Sequence, residues 1–227
     1  MEKVKKAARQ SFENHKNLWK DKSFILSVIL GVVLLLAAFG INYFAGVFAS
    51  NSASSSVTDI ILDNTRVWDV TFIFINGAVI FWAFMMIMMM VEPKRLSFTL
   101  KSLALFTVIR SGFIILTHLA PFPVHLMLPE KNLIDIFSFS GDLFFSAHTG
   151  APFLMALIFW DHKYIRYVCL LASVTFGVVV LLGHLHYSID VFAAFFITYS
   201  IYHLAMYFFK HDFAFIKKYE NTKIEVV

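Results

Sequence analysis

The chain has 227 residues, of which 59% are hydrophobic and only 15% charged, and its mean hydropathy is +0.73. Soluble domains use ~45–50% apolar residues, so this composition excludes one and describes a chain whose surplus apolar surface faces lipid. The net charge of +4 does not point to a nucleic-acid partner, because the basic residues fall between hydrophobic runs instead of along one stripe. Cys169 stands alone, which excludes an internal disulfide, and inside an apolar run it reads as a small buried hydrophobe.

Residues 1–22 are a basic segment. Beyond them, a bilayer core takes about 20 apolar residues as a helix, and six stretches meet or approach that length: 24–48, 70–91, 98–119, 143–160, 164–185 and 187–209. The first is too long for a signal-peptide core and is followed by no convincing cleavage site, so it is expected to be retained. The fourth is marginal at 18 residues and contains His148, but without it its neighbours would lie on the wrong sides of the membrane. The chain is therefore expected to be an all-α, polytopic membrane protein. Its parts are a basic N-terminal segment (1–22), a six-helix transmembrane catalytic domain (23–209) and a tail (210–227).

Lysine and arginine mark alternate connections. Seven precede position 23; Lys94, Arg95 and Lys101 follow the second span, Lys163 and Arg166 the fourth, and Lys210, Lys217, Lys218 and Lys223 the last. The other side has only Arg66 and Lys131, with Arg110 inside a span. By the positive-inside rule both termini are expected to be cytoplasmic. Trp19, Trp68 and Trp160 fall near span ends, as interfacial aromatics do. The run from Met85 to Met90 reads as flexible packing or lipid-facing surface, and Asn51–Ser56 as a small polar outer loop.

An ionisable residue inside a bilayer is costly and marks function by default. Arg110 is one: its planar fork suits a dianionic phosphate, and an ion pair with Asp69 or Asp142 is the structural alternative. Two further segments converge from the non-cytoplasmic side. One runs from Ser140 through Asp142, Ser146 and His148 to Thr149; the other runs from His184 through His186 to Asp190. His186 and Asp190 are four apart, so on a helix they would share a face. A carboxylate there can hold one imidazole N–H, fix the tautomer and leave the other nitrogen to attack. His148 would be the acid that protonates a leaving alkoxide, while Arg110 and helix-start N–H groups would stabilise the added charge. The same groups read alternatively as a proton relay or a metal site, although His184 would point nearly opposite His186 on an ideal helix and so supply no third ligand.

Ser140-Gly141-Asp142-x-x-Phe145-Ser146-x-His148-Thr149 followed by His186-Tyr187-Ser188-x-Asp190-Val191 resembles the paired signature of the sphingomyelin synthase-like family. That family lies within the type 2 phosphatidic acid phosphatase (PAP2) superfamily. Arg110, Thr117, Leu119, Pro121 and Pro123 look like its arginine-containing span, and Asp59, Ile60, Leu62 and Asp63 are similar to its first luminal motif without the prolines. The resemblance covers roughly residues 57–195. It implies a six-helix fold with the active site at the non-cytoplasmic face, and a metal- and cofactor-independent phosphohistidine mechanism. His186 would be the nucleophile, Asp190 its orienter and His148 the acid–base group, with Arg110, Asp142 and Ser146 as substrate-binding residues. Ala147 replaces the usual glycine before the motif histidine. The Lys-x6-Arg-Pro element of the phosphatase branch is missing, since Lys101 and Arg110 are nine apart and Ser111 follows.

These readings describe a lipid phosphotransferase that moves a phospho-head group between a phospholipid and a ceramide or diacylglycerol acceptor. A PAP2-type lipid phosphatase is the nearest alternative, and a non-catalytic transporter or scaffold is the alternative of another class. The membrane and its lipids are the expected partners. The sequence specifies neither oligomeric state nor head group.

Overall fold

The computed structural model describes residue 16, residues 18–128 and residues 143–224, with backbone alone for 218–224. Most of the 1–22 segment therefore lies outside the described residues, as does Asp142. Helix α1 spans Lys22–Ser52 and starts on Asp21, whose carboxylate accepts the Ser23 N–H at 2.8 Å, the usual satisfaction of an orphan helix-start donor. It is apolar on all sides. Leu26 and Phe44 point outward, while Gly31, Ala38, Asn42, Ala45 and Ala49 form a buried stripe of mostly small residues. Small residues let transmembrane backbones approach: a Cβ on Gly31 would lie 2.9 Å from the Cβ of Leu100.

The second span opens with a π-helical segment, Ile73–Gly77, and continues as α2, Ala78–Val91. Pro93 then stops it and begins a 3-10 turn, Pro93–Arg95, that leads into α3, Leu96–Leu116. Helix α4 is Ala147–Ile158, α5 is Lys163–Leu182, α6 is Ser188–Phe208 and α7 is Lys210–Ile224. Five helices are long and apolar enough to cross a membrane, at 31, 19, 24, 20 and 21 residues once the π and 3-10 segments are counted. The all-α polytopic membrane architecture is thus present.

The fourth expected span differs from the others. Its helix has 12 residues, which rise about 18 Å against a bilayer core of about 30 Å. Most of its side chains are buried, including Leu154, Met155 and Ala156 at 0% exposure. Helix α4 is a central post packed by α3, α5 and α6, so protein and not lipid surrounds it. Residues 143–146 approach it without helical structure. Close packing explains Gly150, where a Cβ would lie 2.8 Å from Thr198 Oγ1 and 3.0 Å from the Phe106 ring. Around this post lies the main core of Phe98, Phe106, Phe145, Phe159, Cys169 and Ile201. Cys169 is fully buried there. Met85 is buried too, whereas Met86 and Met90 are exposed.

Buried charges hold one end of the bundle. Arg95, 2% exposed, donates from Nη1 to the Ile158 carbonyl and from Nη2 to Asp161 Oδ2, both at 2.6 Å. A cation at the last turn of α4 also complements the helix dipole. Lys101 Nζ donates to Asp212 Oδ2 at 2.7 Å and to Ser27 Oγ at 2.6 Å, which ties α3, α7 and α1 together. The sequence reading had no element in the tail; the backbone there is helical from Lys210 to Ile224.

Candidate active site

At the opposite end, three carbonyl and amide groups just before α4 link the other elements. The Leu143 carbonyl lies 3.1 Å from His186 Nδ1. The Phe145 carbonyl accepts from Arg110 Nε at 3.0 Å. The Ser146 N–H donates to the Asp190 carbonyl at 3.1 Å. Residues 143–146 are therefore a hub that fixes the third span, the His186 turn and the start of α6 relative to one another.

His186 does not lie on a helix. Helix α6 begins at Ser188 with Tyr187 as its N-cap, and His186 sits in the preceding turn. Its pairing with Asp190 comes instead from the third helical position reaching back: Asp190 Oδ2 accepts the Tyr187 N–H at 3.0 Å and lies 3.3 Å from His186 Nδ1. A carboxylate in the first turn is favoured by the helix dipole, and Asp190 is fully buried. Both neighbours of His186 Nδ1 are acceptors, a carbonyl and a carboxylate. The proton of the neutral ring therefore belongs on Nδ1, and Nε2 keeps its lone pair.

His148 occupies the second position of α4, not its sixth, because the helix starts at Ala147 after the Ser146 cap. Its ring lies flat against Phe74, with centroids 4.1 Å apart and planes at 28°, and edge-on to Phe176 at 6.0 Å. It is within electrostatic reach of both His186 and Arg110. Arg110 is six residues from the end of α3 at Leu116, about 9 Å along the axis, and is 5% exposed. Its Nη1 lies 3.5 Å from Asn42 Oδ1 of α1. The hydroxyl of Ser146 accepts the Thr149 N–H at 3.4 Å as the helix cap, and the residue is fully buried. Asp142, the remaining sequence candidate, lies outside the described residues.

His184 is turned away from this group. It has a φ of 51°, a left-handed value uncommon for a residue with a side chain. Its Nδ1 lies 2.8 Å from the Val124 carbonyl and its Nε2 3.2 Å from Thr65 Oγ1. Among the described residues, no three His, Cys, Asp or Glu side chains are grouped to hold a metal ion.

Three residues that shape the site were given no structural role by the sequence. Asp59 accepts the Ser188 N–H at 2.7 Å on Oδ2, and on Oδ1 the N–H groups of Ile61 and Leu62 at 2.9 and 3.1 Å. It clasps the outer turn to the first residue of α6. Burial pushes the Asp59 carboxyl up, but the donors from Ser188, Leu62 and Ile61 outweigh it and hold the group below the ordinary carboxylate range. Tyr187 donates its hydroxyl to the Ala120 carbonyl at 2.8 Å and accepts from Val57 N–H at 3.3 Å. Asn42 was detectable in principle, as an amide inside an apolar run.

The family model described as PAP2 superfamily C-terminal matches residues 140–207. That stretch contains the hub, His148, the His186 turn and all of α6 up to Tyr207, and the match supports placing the chain in the PAP2 superfamily. It supports a lipid phosphatase or phosphotransferase type of function. No curated protein and no solved structure matches the chain.

Proposed function

We propose that this chain is an integral-membrane lipid phosphotransferase, similar to the sphingomyelin synthase-like branch, that works through a phosphohistidine on His186. One observation carries the reading: Nδ1 of His186 faces two acceptors, so Nε2 is the nitrogen with a lone pair for phosphorus. In the first step Nε2 attacks the phosphorus of a phospholipid head group. The P–O bond to the diacylglycerol oxygen breaks, and His148 gives that oxygen a proton. Asp190 stabilises the imidazolium character that develops on His186, and Arg110 the extra negative charge on the equatorial oxygens. In the second step His148 takes the proton of a ceramide or diacylglycerol hydroxyl, which attacks phosphorus as the P–N bond breaks. Asp142 is proposed as a substrate-side residue from the sequence motif alone, and Ser146 acts through the cap that orients the first turn of α4.

The charge pattern supports an orientation with both termini in the cytoplasm and this site at the non-cytoplasmic face. Arg95, Lys94 and Lys101 then sit at the cytoplasmic end, where basic residues are favoured. Hydrolysis is the second reading, since water in place of the acceptor hydroxyl needs no further residue.

Purified protein in vesicles holding labelled ceramide and phosphatidylethanolamine, followed by mass spectrometry, tests the proposal. A labelled phosphosphingolipid formed with release of diacylglycerol is the expected product. Release of a water-soluble phosphate alone would replace the transferase reading with the phosphatase one, and an unchanged lipid mixture would remove both.

A further inference from the structure

Phe74 belongs to neither histidine motif, yet it makes the closest ring contact of His148. The second span passes through one π-helical turn near its start, Ile73–Gly77, a geometry that appears mostly as single-turn bulges, frequently at functional sites. Phe74 lies seven residues before Phe81 and eleven before Met85, the buried face of α2, and is itself 5% exposed while Phe72 and Ile73 are exposed.

The ring is also firmly backed. Phe74 packs in a cluster with Val70, Val179, Val180 and Val191, drawn from the second span, α5 and α6. Its other face meets the His148 imidazole nearly parallel, at 4.1 Å and 28°. Phe176 closes a second side edge-on. The imidazole is thus left with one plane, and its nitrogen edge is the part that remains to meet substrate.

Resting on the phosphoryl-transfer reading above, we propose that Phe74 is a positioning residue for His148. It is a flat wall, backed by the Val70, Val179, Val180 and Val191 cluster, that fixes the plane in which the acid–base nitrogen delivers and takes its proton. Proton transfer in the transition state depends on such alignment, whereas ground-state lipid binding does not. A substitution that keeps apolar volume but loses the flat face should therefore lower kcat and leave KM alone.

The experiment compares wild type with Phe74→Leu and Phe74→Tyr in nanodiscs. It follows total phospholipid consumption, whether the product is transferred or hydrolysed, together with thermal unfolding and the imidazole NMR signals of labelled histidine, assigned through His148→Gln. Phe74→Leu is expected to lower kcat about tenfold, the equivalent of one aromatic contact, with KM and the unfolding midpoint unchanged. Phe74→Tyr restores the rate. The His148 ring signals move in Phe74→Leu, through loss of the ring current, and return in Phe74→Tyr. Equal kcat in wild type and Phe74→Leu overturns the inference, as does a loss that Phe74→Tyr fails to recover. A wild type that consumes no phospholipid defeats the functional reading instead. In that case the NMR arm alone judges the contact, and unmoved His148 signals overturn it.

Discussion

His186 owes its tautomer to two acceptors on one side of its ring, and only one of them is the aspartate that the motif supplies. The other is the Leu143 carbonyl, so the backbone before α4 is as much a part of the setting of His186 as Asp190. Arg110 shows the same sharing, since its Nε is committed to the Phe145 carbonyl and its Nη1 lies 3.5 Å from Asn42 Oδ1. Replacement by lysine keeps the charge but loses the fork. For Arg110→Lys we expect a folded protein whose kcat falls about a hundredfold, the scale of losing one preorganised donor to developing charge. Wild-type kinetics would return Arg110 to a structural role.

Asp59 adds a dependence on acid. Its carboxyl is lowered by folding, so its contribution is complete above the unfolded value of about 3.9 and is lost as pH falls through the lower folded value. Asp59→Asn should cost about 1–2 kcal/mol at neutral pH and flatten the loss of stability below about pH 4. Chemical unfolding measured across pH 3–7 checks this, and a variant with an unchanged acid profile would contradict it.

Among the elements, the long apolar helices were legible because twenty consecutive lipid-compatible residues have few other fates. Their ends were less so. The runs 98–119 and 164–185 stop as helices at Leu116 and Leu182, since hydropathy does not register where a chain leaves the helix. His148 was read six residues into its run, and His186 as a helical residue at the opening of the last one, whereas the helices begin at Ala147 and Ser188. Ser146 in the first case, and Asp190 reaching back to Tyr187 in the second, set those starts by capping, which a hydropathy window smooths over. The π-helical turn at Ile73–Gly77 had no signal at all, because one additional residue per turn leaves the apolar pattern of a membrane helix unchanged. The α7 helix was hidden by its charge.

That charge is used. Asp212 is half of a buried pair with Lys101, and Ser27 and Ser97 also donate to it. Burial raises its carboxyl, but hydrogen bonds from Lys101, Ser27 and Ser97 outweigh this and hold it low. Removing one partner of a buried pair leaves an uncompensated charge and costs about 3 kcal/mol. Asp212→Ala should therefore loosen α7 from α1 and α3 by that amount. The double variant Asp212→Ala with Lys101→Met should recover most of it. Additive losses in thermal unfolding would show that the pair is not coupled.

For the whole molecule, the site and the two buried cationic clamps lie at opposite ends of one bundle. Ile60 and Tyr164, 82% and 85% exposed, mark those ends. Because Cys169 is fully buried, single cysteines report side without background. Ile60→Cys should react with an impermeant maleimide on intact cells, and Tyr164→Cys only after permeabilisation. The reverse pattern would invert the orientation inferred from Lys and Arg, and with it the leaflet that supplies substrate. The central post also explains how a 12-residue helix serves in place of a full span: α4 brings its first turn, with His148, to the level of Arg110 and the His186 turn while other helices face the lipid.

Rapid quench of the intact protein with a phospholipid carrying a labelled head group tests the chemistry most directly. Peptide mass spectrometry under basic conditions should find the labelled phosphoryl group on His186, acid-labile and missing from His186→Ala. The label on His184, or turnover at full rate with no histidine adduct, would contradict the mechanism.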